Sequence, residues 1–253
     1  MFVITGGGTG IGLALAKTLA QRNKNVLIIG RRLTVLTEAA KFSPLINYLC
    51  SDLSSVTGCT KIVDYLKKIP VIEGLVHNAG IITPIAPLAT IDYAAWQEIL
   101  TTNLNAPLFL TQALFNQLQT GRVLHVGSGA AYFPVAGWAG YCVSKAALAM
   151  LTKCWQLEYE NPAVASVMPG IVDTNMQDII CSKGQFMAPE KQQFFTKLRQ
   201  EQRMLDPAVV GSFLCWLMLD VNKQEFMAKE WDIYDQTHHS SWLVAPQQVP
   251  IWE

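Results

Sequence analysis

Phe2-Val3-Ile4-Thr5-Gly6-Gly7-Gly8-Thr9-Gly10-Ile11-Gly12 is the stretch on which the reading of this 253-residue chain turns. Four apolar or β-branched residues form a short run of the kind buried on both faces of a parallel sheet. The run passes without a spacer into a glycine-rich turn, and the turn opens a segment in which Ile11, Leu15 and Leu19 recur at helical spacing. Glycine there lets the backbone turn tightly and approach a pyrophosphate, while the free N–H groups of the starting helix face the anion. The generic GxGxxG spacing does not fit, because Ile11 or Leu13 falls where its last glycine belongs; TGxxxGxG, with Gly6, Gly10 and Gly12, does.

Outward from this turn the same alternation repeats. Short apolar runs at Val26–Ile29, Ile46–Leu49, Leu75–His77, Val123–Val126, Val164–Met168 and Trp231–Tyr234 are separated by helical stretches. Those stretches are Ile11–Arg22, Leu33–Ala40, Val56–Lys68, Tyr93–Gln119 (with a break expected near Pro107), Tyr141–Glu160 and Pro207–Leu219. Strand–helix alternation implies an α/β fold with a doubly wound parallel sheet, flanked by helices on both faces, in a single domain. Ligands of such sheets sit beyond the carboxyl ends of the strands.

The residues at those ends are informative. The second strand runs into Gly30-Arg31-Arg32, 19 residues past Gly12. Asp or Glu there would suit a ribose 2′-hydroxyl, whereas arginine suits a 2′-phosphate through charge-assisted contacts, so NADP(H) is expected over NAD. One of the two arginines could instead stack on adenine. Asp52, followed by Leu53, accepts from an adenine amino group, caps the next helix, or does both. His77-Asn78-Ala79-Gly80 closes the fourth strand; Asn78, Ala79 and Gly80 line the expected cofactor path, and His77 is expected to be a hydrogen-bonded structural histidine. Tyr141 and Lys145, four apart on a helix, share a face. A neighbouring ammonium would favour the phenolate and lower the tyrosine pKa from its reference of about 10. Ser128 follows the fifth strand, within reach of a substrate oxygen held at the same place.

TGGGTGIG, HNAG, Asn103, Ser128, Tyr141-Cys142-Val143-Ser144-Lys145 and PGIVDTNM, in this order, resemble the short-chain dehydrogenase/reductase family from residue 2 to about residue 220. The resemblance implies a seven-stranded Rossmann-type sheet and hydride exchange between a nicotinamide and a carbonyl or alcohol carbon. It further implies Ser128, Tyr141 and Lys145 as catalytic residues, with Asn103 holding a water that links Lys145 to solvent. The cofactor would be held by Gly6, Gly8, Thr9, Gly10, Ile11, Gly12, Arg31, Arg32, Asp52, Leu53, Asn78, Ala79, Gly80, Tyr141 and Lys145. Pro169, Gly170, Val172, Thr174 and Met176 would wall the nicotinamide. Residues 175–206 correspond to the family's substrate flap. Within it Met176, Ile179, Ile180, Phe186 and Met187 are either pocket residues or simple helix packing, and Trp138 and Phe133 are expected to contact substrate. The chain lacks the Asp-Gly-Gly that many members carry after the last strand. Its Tyr234-Asp235, with GRR and HNAG, is similar to the sepiapterin reductase and benzil reductase branch, which reduces vicinal dicarbonyls with NADPH and forms homodimers. A 3-oxoacyl thioester reductase would need a basic patch for its carrier, and no such cluster is visible. A non-catalytic NADP-binding sensor or scaffold would be expected to lose Tyr141 or Lys145.

Composition sets the remaining expectations. Nineteen basic residues balance 19 acidic ones, so no basic face marks a nucleic-acid binder. The charged fraction of 15% suits a chain that also buries surface in a homodimer or homotetramer. Strand residues start at position 2, leaving no room for a secretory leader, and Val209–Leu219 is too short to span a membrane. Six cysteines without a CxxC pair are read as buried thiols of a cytoplasmic protein, with no metal site. The tail, residues 237–253, with His238, His239 and Trp242, is expected either to pack across a partner subunit or to close the site.

Overall fold

The structure, a computed structural model, describes residues 1–250. Seven strands, β1 (Phe2–Thr5), β2 (Val26–Gly30), β3 (Ile46–Cys50), β4 (Gly74–His77), β5 (Arg122–Val126), β6 (Ala163–Met168) and β7 (Trp231–Asp232), form one all-parallel sheet in the order β3-β2-β1-β4-β5-β6-β7. The expected doubly wound sheet is therefore present, with every strand run at its predicted place. Only β7 is shorter than its apolar run, because Asp232 turns back to accept from the Tyr234 N–H at 3.0 Å.

Strand alternation divides the core. Phe2, Ile4, Val26 and Ile28 face one side, where they meet α1 (Gly10–Gln21), α2 (Leu33–Ala40) and α9 (Pro207–Leu219). Val3, Leu27, Leu75 and Val123 face the other, against α3 (Val56–Leu66), α5 (Ala106–Ala113) and α6 (Ala139–Glu158). Burial of apolar side chains on both faces is what the continuous apolar runs required.

The long fourth helix is interrupted near Pro107, as expected, and ends at Ala113 rather than Gln119. α4 (Tyr93–Leu100) passes through one π-helical turn, Thr101–Asn105, into α5. The π-turn ends at Asn105, two residues before Pro107, which is the second residue of α5. Residues 175–206, which show little period in the sequence, fold as α7 (Asn175–Ser182), a short 3₁₀ turn, and α8 (Pro189–Gln200). A further helix, α10 (Lys223–Ala228), precedes β7.

α11 (His239–Trp242) lies against α9 of its own chain: His238 stacks on Phe213 with centroids 5.0 Å apart, and Trp242 sits 4.9 Å from the same ring. Residues 251–253 lie outside the described residues. Among the described residues no helix is long and apolar enough to cross a membrane, and no His, Cys, Asp and Glu cluster could hold a metal. The cysteines are less buried than expected: Cys215 is buried, Cys154 is exposed and the others are partly covered.

Candidate active site

A cleft of about 550 Å³ opens at the carboxyl ends of the strands, where β1 and β4 part the two halves of the sheet. The turn before α1 forms its floor. Gly6 and Gly10 adopt left-handed φ of 65° and 53°. A Cβ on Gly6 would lie 2.9 Å from the Ala79 Cα, and one on Gly12 would lie 2.6 Å from the Asn78 amide nitrogen. Gly12 is therefore a packing glycine behind the turn, while Gly6, Gly8, Thr9, Gly10 and Ile11 line the cleft itself. Asn78 explains how the turn is held: its side chain donates to the Thr5 and Gly6 carbonyls at 3.0 and 3.2 Å. Thr9 caps α1 with no side-chain hydrogen bond, and the first helical turn carries no acidic residue. The first-turn N–H groups are thus left for an anion, so the residues present fit a dinucleotide pyrophosphate.

Arg31, Arg32, Asp52, Leu53, Ala79 and Gly80 line the cleft as expected. Arg31 is exposed and stands 4.0 Å from Glu98. Asp52 does not cap α3. Its carboxylate accepts from the Ser54 backbone and hydroxyl at 2.9 and 2.8 Å, and the cap is Ser55, which accepts from the Gly58 N–H.

At the other end, Ser128, Tyr141 and Lys145 converge on one wall of the cleft. Ser128 follows β5, and its hydroxyl lies beside the Tyr141 phenol, where it favours the phenolate. The loop beyond it is anchored, since the Tyr132 hydroxyl donates to Glu230, whose other carboxylate oxygen accepts from Ser166. Lys145 is buried one turn along α6, its Nζ 5.7 Å from the Tyr141 ring centroid, and donates to the Val126 carbonyl at 2.7 Å. Burial pushes Lys145 down to about 8.

The expected lowering of the Tyr141 pKa is not found. Burial raises it, and the hydrogen bond from Ser128 only partly offsets that rise. Removing water from a phenolate costs more here than its neighbours return.

Asn103 lies behind the cleft, at the π-turn. Its Oδ1 accepts from the Ile81 N–H at 2.9 Å, and its Nδ2 donates to the Ile81 carbonyl and the Ser144 hydroxyl. With both ends of its amide so engaged, the side chain ties the segment after β4 to α6. His77 is the structural histidine expected, hydrogen-bonded to Thr111 at 2.9 Å.

Pro169, Gly170, Val172, Thr174 and Met176 line the opposite wall, and of the five residues open between pocket and packing only Met176 and Ile179 reach the cleft. Ile180 and Met187 pack instead with Trp138, Tyr141 and Phe195. Trp138 and Phe133 do not line it: Trp138 is buried beneath α8, its ring 5.4 Å from Phe195, and Phe133 is exposed beside Lys191. Sequence reading missed Ile81, Ile82, Thr83, Thr102 and Gln177, which do line the cleft. The only signal for the first three was their place directly after the Asn-Ala-Gly turn.

Sheet order and glycine turn together define a dinucleotide-binding fold. A family model described as short chain dehydrogenase matches residues 1–183. The chain is 31% identical over 228 residues to benzil reductase ((S)-benzoin forming) of Bacillus cereus, with 83% of this chain and 90% of that protein covered. It is 29% identical over 244 residues to the benzil reductase ((S)-benzoin forming) of Bacillus subtilis, covering 86% and 93%. Among solved structures, a short-chain dehydrogenase/reductase of Saccharomyces cerevisiae superposes with a TM-score of 0.87 at 26% identity, covering 95% of this chain and 98% of that one. The KRED1-Pglu enzyme superposes with a TM-score of 0.82 at 29% identity, covering 88% and 97%. The chain belongs to the short-chain dehydrogenase family, an oxidoreductase family that works with a nicotinamide cofactor.

Proposed function

We propose that this protein reduces a small ketone or vicinal dicarbonyl to the alcohol with NADP(H), and that Tyr141 supplies the proton. The observation that carries the reading is the convergence of the Ser128 and Tyr141 hydroxyls and the Lys145 ammonium on one wall of a cleft whose other end is a glycine turn. The similarity to two benzil reductases supports the dicarbonyl class.

The dinucleotide would be held by the α1 turn, by Arg31 and Arg32 at its phosphate-bearing ribose, and by the 169–176 wall at its nicotinamide. When bound, it supplies the hydride that adds to the carbonyl carbon. The chain's own groups manage the oxygen. The Ser128 hydroxyl orients it, and the Tyr141 O–H donates its proton as the C–O bond becomes an alcohol. Tyr141 stays protonated at neutral pH because burial raises its pKa, which suits a proton donor. The Lys145 ammonium stabilises the negative charge left on the phenol oxygen, and the tyrosine regains its proton from solvent. Asn103 acts one step back, fixing Ile81 and α6 around Lys145. A non-catalytic role is disfavoured by the intact constellation. No basic patch favours an acyl-carrier substrate.

Self-association is part of the proposal. Val143, Met150 and Leu157, seven residues apart on α6, are 46%, 58% and 87% exposed, an apolar stripe suited to a second copy of the chain.

Oxidation of NADPH and NADH by the purified protein, with benzil, other vicinal diketones, aryl ketones and a 3-oxoacyl thioester, tests the reading. Fast NADPH oxidation with a diketone is expected. Equal use of NADH would remove the cofactor assignment, and inertness toward every carbonyl would remove the substrate class.

A further inference from the structure

The residue that stands where other members carry Asp-Gly-Gly has no role in the reading above, yet it reaches the cleft wall. Tyr234 follows β7, and its hydroxyl oxygen accepts from the Ile171 backbone N–H at 2.9 Å. The same ring closes over Gly170. That residue has φ of 80°, and a Cβ added to it would lie 2.7 Å from the Tyr234 hydroxyl oxygen and 2.5 Å from a Leu205 methyl. On its other side the wall is pinned to Leu205, whose N–H donates to the Ile171 carbonyl at 2.8 Å and whose carbonyl accepts from Asp173 at 2.9 Å. Gly170 and Val172 line the cleft. The wall is thus clamped from two directions, by Leu205 and by Tyr234.

Tyr234 is itself held by the tail. The His238 Nε2 bonds the Asp232 carbonyl at 2.9 Å, and the His239 Nε2 bonds the Ile233 carbonyl at 2.7 Å. The Trp242 indole donates to the His238 Nδ1 at 2.8 Å, so His238 is the tautomer that carries its proton on Nε2. Both histidines therefore fasten the two peptide carbonyls that precede Tyr234.

We infer that Tyr234 is a positioning residue for the reaction, its hydroxyl fixing the backbone of Gly170–Val172 against the nicotinamide side of the cleft, with the His238–His239 pair holding Tyr234 in register. The inference rests on the proposed reading of the cleft. Its physical ground is that hydride transfer is steep in distance: a displacement of about 1 Å in a reacting pair can cost on the order of 100-fold in rate.

The test is Tyr234→Phe, which keeps the ring that packs on Gly170 and removes the hydroxyl that accepts from Ile171. Hydrogen–deuterium exchange in the free protein reads the clamp without turnover, and exchange at the Ile171 amide should rise about tenfold or more as its partner is lost. With NADPH and a substrate the wild type turns over, kcat should fall about tenfold. NADPH affinity should change less than about threefold, and the isotope effect with 4-deuterated NADPH should increase, because hydride transfer becomes the slower step. A faster-exchanging Ile171 with unchanged kcat and isotope effect would overturn the inference and leave Tyr234 a structural tether. Loss of kcat in proportion to NADPH affinity would also overturn it. His239→Leu, which frees the Ile233 carbonyl and leaves the Tyr234 hydroxyl in place, should reproduce the kinetic effect in weaker form; no effect would remove the tail from the inference. Wild-type protein inert toward every carbonyl would instead overturn the reading beneath it, an outcome distinct from an active enzyme indifferent to Tyr234→Phe.

Discussion

Lys145 gives a hydrogen bond to the carbonyl oxygen of Val126, the last residue of β5, at 2.7 Å, and it is buried while doing so. A buried ammonium with one neutral acceptor is a poor contributor to stability. Its displacement from 10.5 to about 8 corresponds to a cost of about 3 kcal/mol at neutral pH. Lys145→Met should therefore leave the melting temperature unchanged or raise it by about 2–4 °C for each kcal/mol recovered. Reductase activity should drop by about 100-fold or more. Differential scanning calorimetry beside steady-state kinetics checks both, and a melting temperature that falls by several degrees would contradict the account of Lys145.

The same residue sets the alkaline limb of the rate. The ammonium form is lost as pH rises through about 8, whereas the raised pKa of Tyr141 keeps its proton well beyond that. kcat/KM for ketone reduction should be level from about pH 6 to 7.5 and then fall tenfold per unit. Lys145→Arg should push the limb outward, because guanidinium does not lose its proton in this range. Tyr141→Phe should abolish turnover at every pH while NADPH still binds. A limb that stays at the same pH in Lys145→Arg would show that another group titrates there.

These two residues also show how far the sequence carries. The strands were legible because burial on both sides leaves continuous apolar runs, and the glycine turn because its conformation admits little else. Tyr141 and Lys145 could be placed on one face by their spacing alone. Their pKa values could not, since burial depends on what covers them: α8 supplies Phe195 over Trp138, and that segment carries little period. Trp138 was misplaced for the same reason. The role of Asn103 at the π-turn was hidden because its hydrogen-bond partner, Ile81, lies 22 residues away. Tyr234 stood out only as a departure, and its partner Ile171 lies 63 residues earlier.

Selectivity for the phosphorylated dinucleotide should rest on Arg31 and Arg32, both on the cleft. A hydrogen bond to a charged group contributes about 1.5–3 kcal/mol. Replacing both with alanine should therefore raise KM for NADPH about 10- to 100-fold. NADH kinetics should change little. Arg31 also faces Glu98 at 4.0 Å, an exposed pair of small energetic weight. Glu98→Gln should accordingly alter NADPH affinity by less than about threefold. If the double variant loses NADPH and NADH equally, the arginines serve the fold of the loop rather than the 2′-phosphate.

Stability should decline on the acid side before the carboxylates titrate. His77 and His125 face each other across β4 and β5 with ring centroids 5.3 Å apart, and burial holds both below the usual imidazole range, His125 at about 3. His238 is lowered by burial as well. The Thr152 hydroxyl donates to the Leu148 carbonyl, so the His125 Nδ1 must give its proton to Thr152, leaving Nε2 bare and without a partner. The sign follows from which state takes the proton. Unfolded histidine protonates near 6.5, and the folded chain refuses those protons until lower pH. The contribution is complete above about pH 6.5 and is lost as pH falls from there toward the folded values. Each of the three histidines should add up to about 1.4 kcal/mol per pH unit to the slope of unfolding free energy below 6.5. Urea denaturation at pH 7.5, 6.5, 5.5 and 5.0 measures it. His125→Asn, which cannot protonate, should flatten the slope by about one proton equivalent. An unchanged slope in that variant would place the acid sensitivity elsewhere.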